Sequence, residues 1–240
     1  MIPGEILPAR TRNFPCMTNS DQSTKAPRVP TWAKCLYTAF CAILVPVYWH
    51  DYGPTNFLYF CDTALLLTLV AIWCENALLA SAAAVGILLP QSLWVLDFLG
   101  SSVGFPITGM TGYMFDAKLS MFTRGLSFFH FWLPFLLVWL VQRLGYERRA
   151  PLVWTGVAWI LLPICYFLLP MPPAPADHLS IPVNVNYVFG LSDVAPQHWM
   201  APFTWFTLLL VGLPVLMYYP THRVLARVMP QSPPARKSTI

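Results

Sequence analysis

Six apolar runs are separated by polar connections along the chain: Trp32–Trp49, Asn56–Trp73, Ala77–Phe98, Met121–Val141, Leu152–Pro170 and Met200–Tyr219. Each is close to the ~20 residues an α-helix needs to cross a ~30 Å hydrocarbon layer. In lipid, backbone N–H and C=O groups must pair within their own segment, so runs of this length have to be helical. The pattern predicts an all-α fold, a polytopic membrane bundle of six transmembrane helices over residues 32–220. Residues 1–31 are polar, carry several prolines and lack the apolar stretch of a cleaved signal peptide. They read as a disordered tail, as do residues 221–240.

Two connections are long, Leu99–Ser120 and Met171–Trp199, and the rest are short. The first is rich in Gly and Ser (GSSVGFPITGMTGY). The second contains HLSIPVNVNYVFGLSD, whose alternation at Val183, Val185, Tyr187 and Phe189 fits either a short strand or a re-entrant segment. Both hold enough apolar residues to fold back over the bundle. Pro46, Pro90, Pro134, Pro163 and Pro214 fall inside five of the runs. Each removes a backbone donor, which favours kinks that splay helices around a cavity; proline is also simply commoner in membrane helices. The third run is small-faced, with Ala80, Ser81, Ala82, Ala83, Ala84 and Gly86, as suits a helix packed closely at the centre of a bundle.

Composition agrees with a lipid environment. The 240 residues are 57% hydrophobic and 10% charged, with a mean hydropathy of +0.57, against about 25% charged in a soluble domain. Charge then orients the spans. Arg10, Arg12, Lys25, Arg28 and Lys34 precede or open the first run. Arg143, Arg148 and Arg149 follow the fourth, and Arg223, Arg227, Arg236 and Lys237 follow the sixth. With six spans these all fall on one side, and only Lys118 and Arg124 of the 14 basic residues fall on the other. The positive-inside rule puts both termini in the cytoplasm, N-in/C-in, in the cell membrane.

The basic residues flank spans and form no patch suited to nucleic acid; membrane lipid is the implied partner. The six cysteines include no C-x-x-C pair and no zinc spacing with His. No span carries the mid-membrane Lys of a retinal site, the paired His of a bis-histidine haem or an H-E-x-x-H motif. No cofactor or metal is expected.

Ionisable groups inside a membrane are costly and therefore functional candidates. Asp62 and His130 each lie about six residues from the outer end of their spans, roughly 9 Å deep. At one level, the carboxylate can orient the imidazole as a general base, or the pair can simply lock two helices. Cys61 beside Asp62 is a candidate nucleophile if the histidine reaches it, and a packing residue if not. Tyr59 and Thr63 are further hydroxyls in the same stretch. Above them, His50, Asp51, Tyr52, Asn56, Asp97, Asn184, Asn186 and Tyr187 gather on the outer side. Asn56, Asp97, Asn186 and Tyr187 are candidates to bind a polar headgroup, or serve as caps and turns. Glu75 stands alone at the inner end of the second run, where solvation accounts for it.

The stretch YGPTNFLYFCD, the lone His130 of the fourth run and NVNYVFG before the sixth are similar to a diverse group of six-span proteins. That group includes the YwaF-type integral membrane proteins, membrane hydrolases of fatty-acid esters and a related phospholipid acyltransferase. The resemblance implies a nucleophile on the second span working with a histidine on the fourth. His130 matches that histidine; the hydrolase threonine falls at Tyr59. Two functions are thus expected from the sequence. One is an outer-leaflet lipid hydrolase or acyltransferase with catalytic His130, Asp62 and Cys61. The other is a non-enzymatic membrane protein, a small-molecule carrier or an assembly subunit.

Overall fold

The computed structural model describes residues 28–174 and 181–232. The expected tails over 1–27 and 233–240, with Cys16, and the loop positions Asp177 and His178 lie outside the described residues. The described chain is helical: α1 (Thr31–Tyr52), α2 (Phe60–Cys74), α3 (Ala77–Ser102), α4 (Met121–Ser127), α5 (Phe129–Leu144), α6 (Ala150–Leu168), α7 (Pro202–Leu213) and α8 (Tyr219–Val228). α4 and α5 run together as Met121–Leu144, and α7 and α8 as Pro202–Val228, joined by a π-turn. Among the described residues, five helices are long and apolar enough to cross a membrane; α2, at 15 residues, is shorter. Helix continues past residue 220 to Val228.

Lipid-like exposure is written on the outer surface. Phe135, Leu152, Ile160, Leu168 and Leu216 are large apolar side chains that face away from the bundle. The interior is organised around α3, which packs against α2, α5 and α6. Residues 80–87 are buried without interruption. Eight consecutive residues cover more than two turns, so the helix is surrounded on all sides over that length. Small side chains make this approach possible. The tightest point is Gly86: a Cβ placed there would stand 1.9 Å from Cε2 of Trp154, whose indole is fully buried against α3.

Towards its other end α3 is buried on one face only, at Gln91, Trp94 and Asp97. The loops there hold the 3-10 turns Pro54–Leu58, Gly112–Phe115 and Val185–Tyr187; this is the loop end. The opposite, basic end is tied by polar contacts. Asn76 caps α3, its Oδ1 accepting from the N–H groups of Leu78 and Leu79 at 2.9 and 3.1 Å. Glu75, expected to be merely solvated, accepts from Lys34 Nζ at 2.8 Å and from the N–H groups of Arg28 and Val29. Arg28 also donates to the C-terminal carbonyl of Leu144 on α5 at 2.9 Å. Nothing local marks these partners, which come together only when α1 lies against the α2–α3 turn. Tyr146 pairs with the chain after α8, donating its N–H to Pro230 and accepting from Ser232 N–H at 2.9 Å.

Four of the five internal prolines, Pro46, Pro90, Pro134 and Pro163, sit within unbroken helix. Only Pro214 changes the winding, opening the π-turn Pro214–Tyr218. It lacks the N–H that would bond Leu210. That carbonyl accepts instead from Trp159 Nε1 of α6, at 2.9 Å. The break between α4 and α5 has no proline.

The alternating stretch around Val183 forms neither a strand nor a spanning segment. Asn184, Asn186 and Tyr187 have φ of 53°, 59° and 60°, the left-handed region, which interrupts extended pairing. Val183, Val185, Val188 and Phe189 are nevertheless buried against the bundle, as the folded-back loop reading expects.

Two predictions follow from this packing. Gly86→Ala destabilises the detergent-solubilised protein by about 1–3 kcal/mol through overpacking, read by thermal unfolding, and Trp154→Leu in the same chain recovers part of the loss. An unchanged melting point in Gly86→Ala would remove α3 from the tight contact described. The second concerns Glu75. Burial works to raise its pKa, but Lys34 and the two backbone N–H groups outweigh it and hold the carboxyl below its ordinary value. A lowered folded-state pKa means the stabilisation is complete above the unfolded value of about 4.3 and is lost as pH falls through the folded value. The stability gap between wild type and Glu75→Gln should therefore narrow as pH falls from about 6 to about 3; a gap independent of pH would argue against the clamp.

Candidate functional site

Asp62 lies in the first turn of α2, where an acidic group complements the N-terminal helix dipole. Its residue is 3% exposed. Oδ2 accepts from Asn56 Nδ2 at 3.2 Å and from the Cys61 thiol at 3.8 Å. Oδ1 is buried with no partner among the described residues. The hydroxyls of Tyr48, Tyr59 and Tyr113 lie within electrostatic reach of this carboxylate. Two helices, α1 and α2, and two loops thus direct polar groups to one region of the loop end.

The expected Asp62–His130 hydrogen bond is not made. His130 is held by its own helix start. At the α4–α5 break, Phe131 N–H bonds to Phe128, which leaves the Ser127 carbonyl for His130 Nδ1 at 2.8 Å. A carbonyl only accepts, so Nδ1 carries the proton and Nε2 of the neutral ring is its basic nitrogen. The imidazole stacks on Trp94 of α3, with centroids 5.0 Å apart and planes at 17°. Trp94 in turn donates to the Tyr113 hydroxyl at 3.2 Å, and Ser127 Oγ shares a 2.7 Å hydrogen bond with Tyr48. His130 is therefore linked to the region around Asp62 through Trp94 and Tyr113, not directly.

The other candidates separate by what their polar atoms already do. Cys61 Sγ has the Asp62 carboxylate as its polar contact, and no imidazole or cation bonds to it among the described residues. Thr63 Oγ1 donates to the Phe57 carbonyl at 3.1 Å. Asp97, fully buried, gathers the loop after α3. Oδ1 accepts from the N–H groups of Ile107, Thr108 and Gly109, and Oδ2 from Thr111 N–H and hydroxyl. These five donors leave it a loop-organising group. Asn186 reaches across to cap α2: Oδ1 accepts from Phe60 N–H at 2.9 Å, and Nδ2 donates to the Leu58 carbonyl at 2.8 Å. Asn184 binds its own loop, donating to the carbonyls of Gly190 and Ser192. Tyr187 is held in its left-handed conformation by Trp205 Nε1, which donates to its carbonyl at 2.8 Å; burial pushes its phenol well above the ordinary value. His50 and Asp51 pair with each other at 2.9 Å near the surface.

Gln91 was missed by the sequence reading. It is 2% exposed, and neither Nε2 nor Oε1 has a partner among the described residues. The α2–α3 turn is two residues long, so Asp62 and Gln91 both lie about 20 Å along their helices from it. The available signal was an amide inside an apolar run, directly after Pro90. Among the described residues, no three or more His, Cys, Asp or Glu side chains are grouped to hold a metal ion. Comparison with known protein families, with curated proteins and with solved structures finds no match for this chain.

Proposed function

We propose that this is a six-span, N-in/C-in protein of the cell membrane that binds the polar group of a small ligand at its loop end, as a carrier does. The observation that carries the reading is that two buried side chains at one depth, Asp62 and Gln91, together have three polar atoms without a partner among the described residues. Leaving such atoms unpaired costs about 1–3 kcal/mol each, and an intramembrane carboxyl is a functional group by default. A ligand donor on Asp62 Oδ1 and a ligand amide, hydroxyl or carbonyl on Gln91 would satisfy them. The carrier reading needs Asp62 and not Asp97, whose acceptors are already filled.

A second reading is the lipid hydrolase or acyltransferase, the activity that the resemblance to the YwaF-type proteins and membrane ester hydrolases implies. One observation favours it: the Ser127 carbonyl fixes the His130 tautomer that leaves Nε2 as a base. In that case an ester substrate brings its own carbonyl between His130 and the α2 hydroxyls or thiol, with Asp62 acting at a distance on the imidazolium.

Topology is tested by fusions. Green fluorescent protein at the C-terminus should fluoresce, and alkaline phosphatase inserted within residues 171–199 should be active; an active phosphatase at the C-terminus would overturn the orientation. Ligand binding is tested by solvent extraction and mass spectrometry of protein purified from its membrane. Wild type should carry a compound that Asp62→Asn and Gln91→Leu lose by about tenfold, the scale of one to two lost hydrogen bonds. Equal recovery from all three proteins would exclude the site. Incubation then separates the readings: a carrier returns the compound intact and takes it into proteoliposomes, whereas an enzyme cleaves it with dependence on His130.

A further inference from the structure

The π-turn at Pro214 has a consequence at the basic end. The wider turn, closed by Tyr219 N–H on the Pro214 carbonyl, holds the chain off the start of α6. Between them lies a groove of about 390 Å³, within the roughly 300–1,000 Å³ of small-molecule sites. Its walls are Leu152 and Thr155 of α6 and Pro214 and Val215 of the turn, and it ends at Tyr219 and His222. The wall is mostly apolar. Tyr218, which lines it, is 1% exposed.

Positive charge gathers around His222. This residue lines the groove, with Nδ1 hydrogen-bonded to the Tyr146 hydroxyl at 2.8 Å. Arg148 and Arg223 both lie within electrostatic reach of His222. Neighbouring Arg149 is neutralised by Glu147, through Nε at 3.2 Å and Nη2 at 3.1 Å. Arg148 and Arg223 have no carboxylate partner among the described residues. Arg148 donates to Gln231 Oε1 at 3.1 Å. Arg223 donates to the Tyr219 hydroxyl at 3.1 Å and lies over that ring. The partners of both guanidiniums are neutral and leave their charge uncompensated, and Arg223 lies over the ring of Tyr219, which lines the groove. Beyond it, Val224 and Val228 of α8 are exposed, as on a helix that lies at a membrane boundary.

We infer that this groove is a binding site for an anionic glycerophospholipid, with the headgroup phosphate on Arg148 and Arg223 and an acyl chain along Leu152, Thr155, Pro214 and Val215. Arginine pairs with phosphate through directed, charge-assisted hydrogen bonds. Basic pockets between helices at a membrane boundary suit such headgroups. An inorganic phosphate offers the same charge but leaves the apolar wall uncovered, so the lipid is the occupant that matches both halves of the groove. This site is at the opposite end from Asp62 and does not depend on the ligand proposed there.

The test is native mass spectrometry of the full chain in a neutral detergent, with dioleoyl phosphatidylglycerol, dioleoyl phosphatidylcholine or inorganic phosphate added. Wild type should retain phosphatidylglycerol over phosphatidylcholine by about tenfold or more, the scale two arginines supply against an anionic headgroup. Arg148→Gln with Arg223→Gln should bring the two lipids level. Thr155→Trp should lower phosphatidylglycerol retention with both arginines in place. Equal retention of the two lipids by wild type overturns the proposal whether or not the variants fold. So does displacement of phosphatidylglycerol by equimolar phosphate, which would make the site one for the free anion. Retention unchanged in both variants would place the lipid elsewhere on the protein.

Discussion

The contact between Gly86 and the Trp154 indole sets the spacing of the whole bundle. Helices in lipid gain little from hydrophobic burial between them, because the surrounding chains are as apolar as their own side chains. Close approach and dense packing take over that role. The run from Ala80 to Ile87 lets α2, α5 and α6 approach α3 together, and the missing Cβ at position 86 admits the largest side chain in the interior. Because α3 is enclosed there, its far end can open on one side. Gln91, Trp94 and Asp97 repeat at helical spacing along that side, so one helix supplies a closed core at one end and a polar face at the other.

At that end of the bundle the polar groups fall into two kinds. Asp97 and Asn186 have acceptors and donors filled by loop and helix backbone, and they fasten the loops to the ends of α3 and α2. Asp62 and Gln91 retain unfilled atoms although they are as deeply buried. The difference is one of neighbours: Asp97 meets the loop after α3, whose N–H groups have no helical partners and turn towards it. Asp62 and Gln91 lie within helices, where neighbouring backbone groups are already paired. His130 joins neither kind, since its Nδ1 is satisfied within four residues and its ring by stacking.

The apolar runs were legible from the sequence to within a few residues because lipid imposes length and composition together. α1, α3 and α6 begin and end close to the expected positions. The start of α2 was not, since the apolar residues Phe57 and Leu58 continue the pattern while Gly53 and Pro54 open a 3-10 turn that ends before Tyr59. The alternation of Val183, Val185 and Tyr187 imitated a strand, but intervening asparagines readily adopt positive φ and turned it into a compact loop. At the site, Asp62, Cys61 and Asn56 were found together because they are close in sequence. The equal depth of Asp62 and His130 did suggest a pair; equal depth fixes height in the bundle and leaves rotation about each helix free, and rotation directs His130 to Trp94. Gln91, Lys34 with Glu75, and the Asn186 cap depend on contacts between distant segments, which no periodicity reports.

The brevity of α2 bears on the membrane as much as on the protein. Its 15 residues rise only about 22 Å, some 8 Å short of a typical hydrocarbon layer. Under the six-span topology proposed above, a bilayer around this helix would dip or thin at one of its ends, while α1 and α3, with 22 and 26 residues, would hold it at full thickness or beyond. Hydrophobic mismatch of this kind is settled locally, at fractions of a kcal/mol per Å. A dent of this kind over the first turn of α2 would bring headgroups and water nearer to Asp62 than its place in the sequence indicates.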